Sequence, residues 1–450
     1  MSVPDPARPQ PPASDVSPWV GLSGLAALLG WLALCRLWPD FAPALGLPRA
    51  HERLSGPNAA LVAMAVTGLA MAAWSVVVDK VHRRPSTGIV WHRPRPLSAV
   101  IELSITKLAG LWATWVLIGA LYALGRWYWE GQYLFAMHVI GLAAVPLFAL
   151  SLPYVLWLDR HLVEPRDACW HFGAMLIGRE AWDAGAVKRH WRAWIIKAFF
   201  GAFMISILPG GFAAVVEADW HAIAHDPVRV GVALFDFLFL VDVQIGTVGY
   251  LLTLRPLDAH IRSGNPLLGG WIAALMCYPP FVFAFMGQGG VIHYEYRTEG
   301  WGFWLAGHDT VLWLWAGMLA ALTACYAWAT MAFGIRFSNL TYRGVLTSGP
   351  YRFTRHPAYL SKNLFWWGSS LPFLVTGGSW LEGVRNAVFL GLVSAIYWWR
   401  ARTEEAHLMA EDAKYREYHA WMEAHGAITA PLTRLLRRAR LRGVVLQPAE

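Results

Sequence analysis

Charge is scarce in this chain: only 15% of its 450 residues are Asp, Glu, Lys or Arg, against 56% hydrophobic. Soluble globular domains carry about 25% charged residues, so the deficit excludes an ordinary soluble fold of this size. The missing charge is missing from runs of roughly 20 residues, the length that crosses about 30 Å of hydrocarbon at about 1.5 Å per helical residue. Cysteine is scarce too. Cys35, Cys169, Cys277 and Cys325 are widely spaced and form no CxxC motif, which leaves no basis for a disulfide framework. No internal repeat is present. No charged leader with a cleavage site precedes the first apolar run, which reads as a retained helix rather than a signal peptide.

What the chain does have is apolar runs, centred near Ala27, Val66, Val116, Val145, Met204, Phe239, Val282, Leu319, Phe373 and Leu392. They predict an all-α, polytopic membrane protein with about ten transmembrane helices. Trp127, Trp129, Trp157 and Trp398 mark ends of these runs, as interfacial aromatic belts do. Basic residues collect in alternate loops: Lys80 to Arg95, Arg160 to Arg192, Arg255 with Arg262, Arg336 to Lys362, and the stretch after Arg400. The positive-inside rule puts those loops and both termini in the cytoplasm, in a multi-pass protein of the plasma (inner) membrane. Arg36, Arg49 and Arg53, in the first external loop, run against this scheme.

The net charge of +8 follows from the same bias and requires no nucleic-acid partner. Membrane lipids are the expected neighbours, with Arg434, Arg437, Arg438, Arg440 and Arg442 near anionic headgroups. Four regions are expected: a disordered tail rich in Pro, Ser and Ala over 1–17, a transmembrane region over 18–310, a second membrane domain over 311–432, and a basic tail over 433–450.

Two features carry little. His221 and His225 stand one helical turn apart with no third ligand, so no metal site is expected. Gly287, Gly289 and Gly290 follow a spanning run rather than a strand, unlike a phosphate-binding loop. The informative stretch is Arg343-Gly-Val-Leu-Thr-Ser-Gly-Pro-Tyr-Arg-Phe-Thr-Arg-His-Pro-Ala-Tyr359, between the eighth and ninth runs, with Arg400-Ala-Arg-Thr-Glu-Glu405 at the end of the tenth. Pro357 suits the first turn of a helix, whose free N–H groups can receive a carboxylate. Arg400 and Glu404, four apart, share a helical face. An ordinary ion pair satisfies that spacing, but ionisable residues so near the end of a spanning helix also mark functional sites.

Gly349-Pro350-Tyr351, then Arg355-His356-Pro357-Ala358-Tyr359, then Arg400 with Glu404 and Glu405, then Tyr415 and Tyr418, resembles the isoprenylcysteine carboxyl methyltransferase family and its phospholipid methyltransferase relatives. The similarity spans about residues 311–432. The resemblance implies an enzyme that holds S-adenosylmethionine in a cytoplasmic pocket. Its lining would be Arg343, Gly344, Val345, Leu346, Tyr351, His356, Pro357, Ala358, Tyr359, Glu404 and Glu405. Arg400 matches the family position that meets the acceptor, a lipid or lipid-modified molecule. Arg336 departs from the pattern, standing where a neutral polar contact is expected. Carboxyl O-methylation makes the simpler demand, because a carboxylate is already ionised at neutral pH. A lipid amine must first lose a proton, to Glu405 or His356. Phospholipid N-methylation therefore stays open. So do an NADPH-dependent sterol-type reductase, whose loops carry a similar Arg-His-Pro-x-Tyr, and a non-enzymatic membrane protein such as a transporter, hinted at by Asp236 and Asp242 alone.

Overall fold

The computed structural model describes residues 10–178, 181–287 and 289–435. These α-helices follow one another along the chain. The first seven are α1 (Pro18–Phe41), α2 (Pro57–Val77), α3 (Leu97–Leu124), α4 (Tyr133–His161), α5 (Ala168–Ile177), α6 (Ala184–Glu217) and α7 (Trp220–Ile223). Then come α8 (Pro227–Leu251), α9 (Leu268–Leu275), α10 (Phe281–Phe285), α11 (Trp301–Trp304), α12 (Asp309–Phe333), α13 (Pro357–Ser370), α14 (Trp380–Glu411) and α15 (Ala413–His425). Two short antiparallel strands, β1 (Ser263–Gly264) and β2 (Thr341–Tyr342), pair Ser263 with Tyr342 and Gly264 with Thr341.

Side-chain caps set several helix starts. Ser17 accepts from the N–H of Trp19, and Asp167, Asp183, Asp226 and Asp412 accept likewise at the heads of α5, α6, α8 and α15. Six helices, α1, α2, α3, α4, α6 and α12, are long and apolar enough to cross a membrane. Their outward faces are bare hydrocarbon: Leu142 and Val145 on α4 are 81% and 77% exposed. Such contiguous apolar surface suits lipid and not water. Helices α8 and α14 are also long, at 25 and 32 residues.

Two of the apolar runs are interrupted. The run near Val282 divides into α9 and α10 around Pro279 and Pro280, since neither proline can donate an N–H to a helix. The run near Phe373 is not helical at its centre: α13 ends at Ser370, Leu371 turns left-handed with φ 43, and Pro372 follows.

Helices α6, α8 and α12 form the centre, with the α1–α2 hairpin packed on them. Helices α4 and α5 lean on α6, α3 bridges α4 and α5, α13 lies on α12, and α14 meets α9. Helices α3 and α5 touch backbone to backbone, so a Cβ at Gly110 or Gly173 would strike the main chain of the other helix.

The basic loops meet at one end of the bundle. Val90 and Arg95 donate their N–H groups to the carbonyls of His161 and Arg160, and Arg262 donates its N–H to the carbonyl of Tyr342. Residues 10–17, expected to be disordered, belong to this layer and are ordered. Asp15 accepts from the N–H of Val345 at 2.7 Å, pairs with Lys414 at 2.6 Å, and its carbonyl accepts from Arg84 at 2.7 Å. The segment's composition argues for disorder, but its polar groups find fixed partners, and that decides the outcome. Residues 1–9 and the tail arginines Arg437, Arg438, Arg440 and Arg442 lie outside the described residues.

The arginines that break the loop-charge scheme have a local use at the other end. Arg36 donates to the carbonyls of Val215, Val216 and Ala218, and Arg53 to those of Val216 and Glu217. They satisfy the open carbonyls at the C-terminus of α6 and complement its dipole.

Candidate functional site

At the basic end, α12, α13 and α14 converge on a cavity that opens to the surface. Helix α12 supplies Tyr326 and Thr330, and the following loop supplies Gly344, Val345, Leu346 and Tyr351. His356, just before α13, and Ala358, Tyr359 and Lys362 of α13 add to it, as do Tyr397, Arg400 and Glu404 of α14. Tyr415 and Tyr418 of α15 and Tyr278, between α9 and α10, complete it.

Arg400 is tightly held on this wall. Its Nε lies 3.2 Å from Glu404 Oε1 and its Nη2 donates to Asn339 Oδ1 at 2.5 Å. The guanidinium also lies over the rings of Tyr359 and Tyr278, at 5.0 and 5.4 Å. Tyr359 donates its hydroxyl to Glu404 Oε1 at 2.5 Å, and its ring stacks on His356. Asn339 is itself fixed, donating to the hydroxyls of Tyr250 and Tyr278 at 2.7 and 3.0 Å. A planar fork held on both sides in this way keeps one orientation, as recognition of a second planar group requires.

Two arginines on the wall are committed elsewhere. Arg343 turns its guanidinium onto the carbonyls of Gly249, Ala259, Ile335 and Phe337, knitting the loop to α8 and to the segment before β1. Arg336 pairs with Asp258 at 2.5 Å and donates to the carbonyl of Arg343 at 3.0 Å. Gly344, at φ 119, crosses this knot where a Cβ would collide with Arg336 and Asp15. Arg343 and Arg336 thus shape the wall through the backbone rather than offering free donors to it.

Glu405 and Pro357 are not on the cavity wall. Neighbouring residues of a helix point about 100° apart, so Glu404 and Glu405 cannot face the same space. Glu405, on the part of α14 beyond its apolar stretch, instead receives Arg355 Nε at 2.6 Å, Arg402 Nη1 at 2.7 Å and His356 Nε2 at 3.0 Å. Burial works to raise its pKa, but the hydrogen bond from His356 and the charges of His356, Arg355 and His419 prevail and hold it down to about 2. Glu405 therefore locks the Arg355-His356-Pro357 loop to α14. Pro357, at the first position of α13, sets that helix's start.

The remaining expected residues do come together. Arg343, Gly344, Val345, Leu346, Tyr351, His356, Ala358, Tyr359, Arg400 and Glu404 share one cavity. Sequence reasoning missed Lys362, Tyr278 and Asn339 on the same wall. Lys362 had a signal, being an ionisable residue inside an apolar run and three positions after Tyr359. Tyr278 had none, because its contacts lie 61 and more positions away.

A family model described as "Protein of unknown function (DUF1295)" matches residues 310–422, and these contribute α12 to α14 and most of α15. No curated protein and no solved structure matches the chain.

Proposed function

We propose that the chain is an integral-membrane methyltransferase that uses S-adenosylmethionine to methylate a lipid or lipid-modified acceptor, with carboxyl O-methylation as the reaction. The observation that carries this reading is the placement of Arg400 and Glu404 on α14 in one cavity with His356 and Tyr359 of α13. The donor set fits the cofactor. Arg355 Nη1 is buried without a hydrogen bond, its acid Glu423 standing off at 3.9 Å, beside the first turn of α13, which has no side-chain cap; together they suit a carboxylate. Glu404 suits an amine or a ribose hydroxyl, and the tyrosine faces suit a sulfonium and an adenine ring.

When bound, the cofactor supplies a methyl group activated by a sulfonium for in-line displacement. The chain's part is alignment and dryness. Arg400 holds the acceptor carboxylate through its fork, Tyr278 and Tyr359 keep the guanidinium flat, and the aromatic walls exclude water. On this reading α8, the α9–α10 pair, α13 and α14 join the six long apolar helices as crossing segments, ten in all. The basic end faces the cytoplasm of a plasma (inner) membrane.

Calorimetric titration of detergent-purified protein with S-adenosylmethionine tests the proposal. Saturable binding is expected, weakened by about 1.5–3 kcal/mol in Glu404→Gln through loss of a charged hydrogen bond. A second reading, reduction of a sterol-type lipid by NADPH, draws on the cations Arg355 and Lys362 at the same cavity. Wild-type protein that binds NADPH and ignores S-adenosylmethionine would replace the first reading with the second.

A further inference from the structure

Lys362 lies on the second turn of α13 and forms part of the cavity wall. Its ammonium sits over three rings, Trp366 at 5.2 Å, Tyr326 at 5.5 Å and Tyr397 at 5.7 Å. Among the described residues no carboxylate is within ion-pair distance of it. Asp242 of α8 is the carboxylate that acts on it, from beyond ion-pair distance, and accepts from Thr330 on one oxygen and from Tyr326 on the other. Lys362 is only partly buried, so its ammonium keeps access to the cavity, and the ring quadrupoles attract it without cancelling its charge. Across the cavity, Arg400 is neutralised by Glu404 through Nε. Lys362 is left as the cation of this wall with neither an acid nor a carbonyl to answer it.

We propose that Lys362 is the counter-ion of a singly charged anionic group on an amphiphile, a carboxylate or a phosphodiester. The rings of Trp366, Tyr326 and Tyr397 would flank the atoms next to that charge. The proposal rests on the reading that this cavity receives the lipid acceptor, and adds a second anionic group, beside the carboxylate that Arg400 holds, on the acceptor or its carrier lipid. Aromatic surroundings favour this assignment over a structural one, because they stabilise the ammonium without consuming its three donors.

The test is direct binding, without turnover. Wild-type protein and the variants Lys362→Arg, Lys362→Gln and Lys362→Met, all in neutral detergent, are titrated with oleate, with phosphatidylglycerol and with uncharged oleyl alcohol, following tryptophan fluorescence. Wild type and Lys362→Arg are expected to bind at least one anion about tenfold more tightly than the alcohol, and Lys362→Gln to lose that preference. Whichever anion is preferred identifies the source of the charge. Lys362→Met keeps the test open should the Gln chain fail to fold, since it removes the charge and leaves an apolar side chain among the three rings. Equal binding of all three ligands by wild type, or an anion preference that survives in Lys362→Met, overturns the proposal. Anion preference in a protein that binds no S-adenosylmethionine would reject the methyltransferase reading and leave this one standing.

Discussion

Lys107 on α3 and Lys362 on α13 are both lysines set in apolar helices, and the protein treats them in opposite ways. Lys107 meets Asp159 at 2.5 Å and Asp167 at 3.1 Å, and Ser104 donates to the second oxygen of Asp159. The cluster is sealed, tying α3 to α4 and to the cap of α5 beside the Gly110–Gly173 backbone contact. Lys362 has aromatic faces and a cavity around it, with Asp242 beyond ion-pair distance. Buried charge by itself therefore does not locate function in this molecule. What separates the two places is whether the charges cancel inside the protein or wait for something from outside.

The largest effect that tests this contrast is on stability. Asp159→Asn removes one of Lys107's two acids and is expected to cost about 3–5 kcal/mol, read as a lower midpoint of thermal unfolding in detergent. Lys362→Met should leave that midpoint unchanged or raise it. Equal losses in the two variants would mean that Lys362 is as structural as Lys107.

Glu405 is itself buried but pairs with the half-exposed Arg402 in the site region, and its loss should be smaller. Glu405→Gln should cost about 1.5–3 kcal/mol at neutral pH. Its folded pKa, held down to about 2, lies below the ordinary carboxylate value, so its stabilisation is full above that ordinary value. It fades as pH falls through the carboxylate range toward 2. Wild type and Glu405→Gln should therefore differ in unfolding midpoint at neutral pH and converge under acid. A gap independent of pH would show that the glutamate acts by packing alone.

Asp15 with Lys414 should give the smallest effect, because both side chains keep solvent contact, at 24% and 31% exposure. Asp15→Asn should shift stability by about 1 kcal/mol or less. Burial opposes ionisation of Asp15, but the hydrogen bonds from Lys414 and from the Val345 N–H lower its pKa overall. Its contribution is therefore present at neutral pH and lost on acidification. A larger loss would place the segment 10–17 among the sealed clusters.

What could be read from the sequence was whatever repeats within one helix or one loop. Arg400 and Glu404 were legible because four residues on a helix always share a face. Glu404 and Glu405 were grouped together by resemblance, although helical geometry alone separates them. The apolar runs located most helices, but Pro279, Pro280 and Pro372 ended segments that hydropathy averages run through. Asp258, Asn339 and Tyr278 were illegible because each acts on the site across 61 to 78 positions of chain. Those contacts also show that the matched segment is not a closed unit. Its Arg336 and Arg343 are anchored by Asp258, Gly249 and Ala259, all upstream of it.

Asp15 and Lys414 are separated by 399 positions. A ribosome adding about 5–20 residues per second delivers the lysine some 20–80 s after the aspartate. Throughout that interval the aspartate waits at the surface of a nascent bundle, and the Val345 loop it latches is not yet made for most of the time. A chain stalled before α15 would hold its long membrane helices and an unfinished rim. Maturation of the pocket thus cannot precede synthesis of α15, whatever the order in which the helices enter the bilayer.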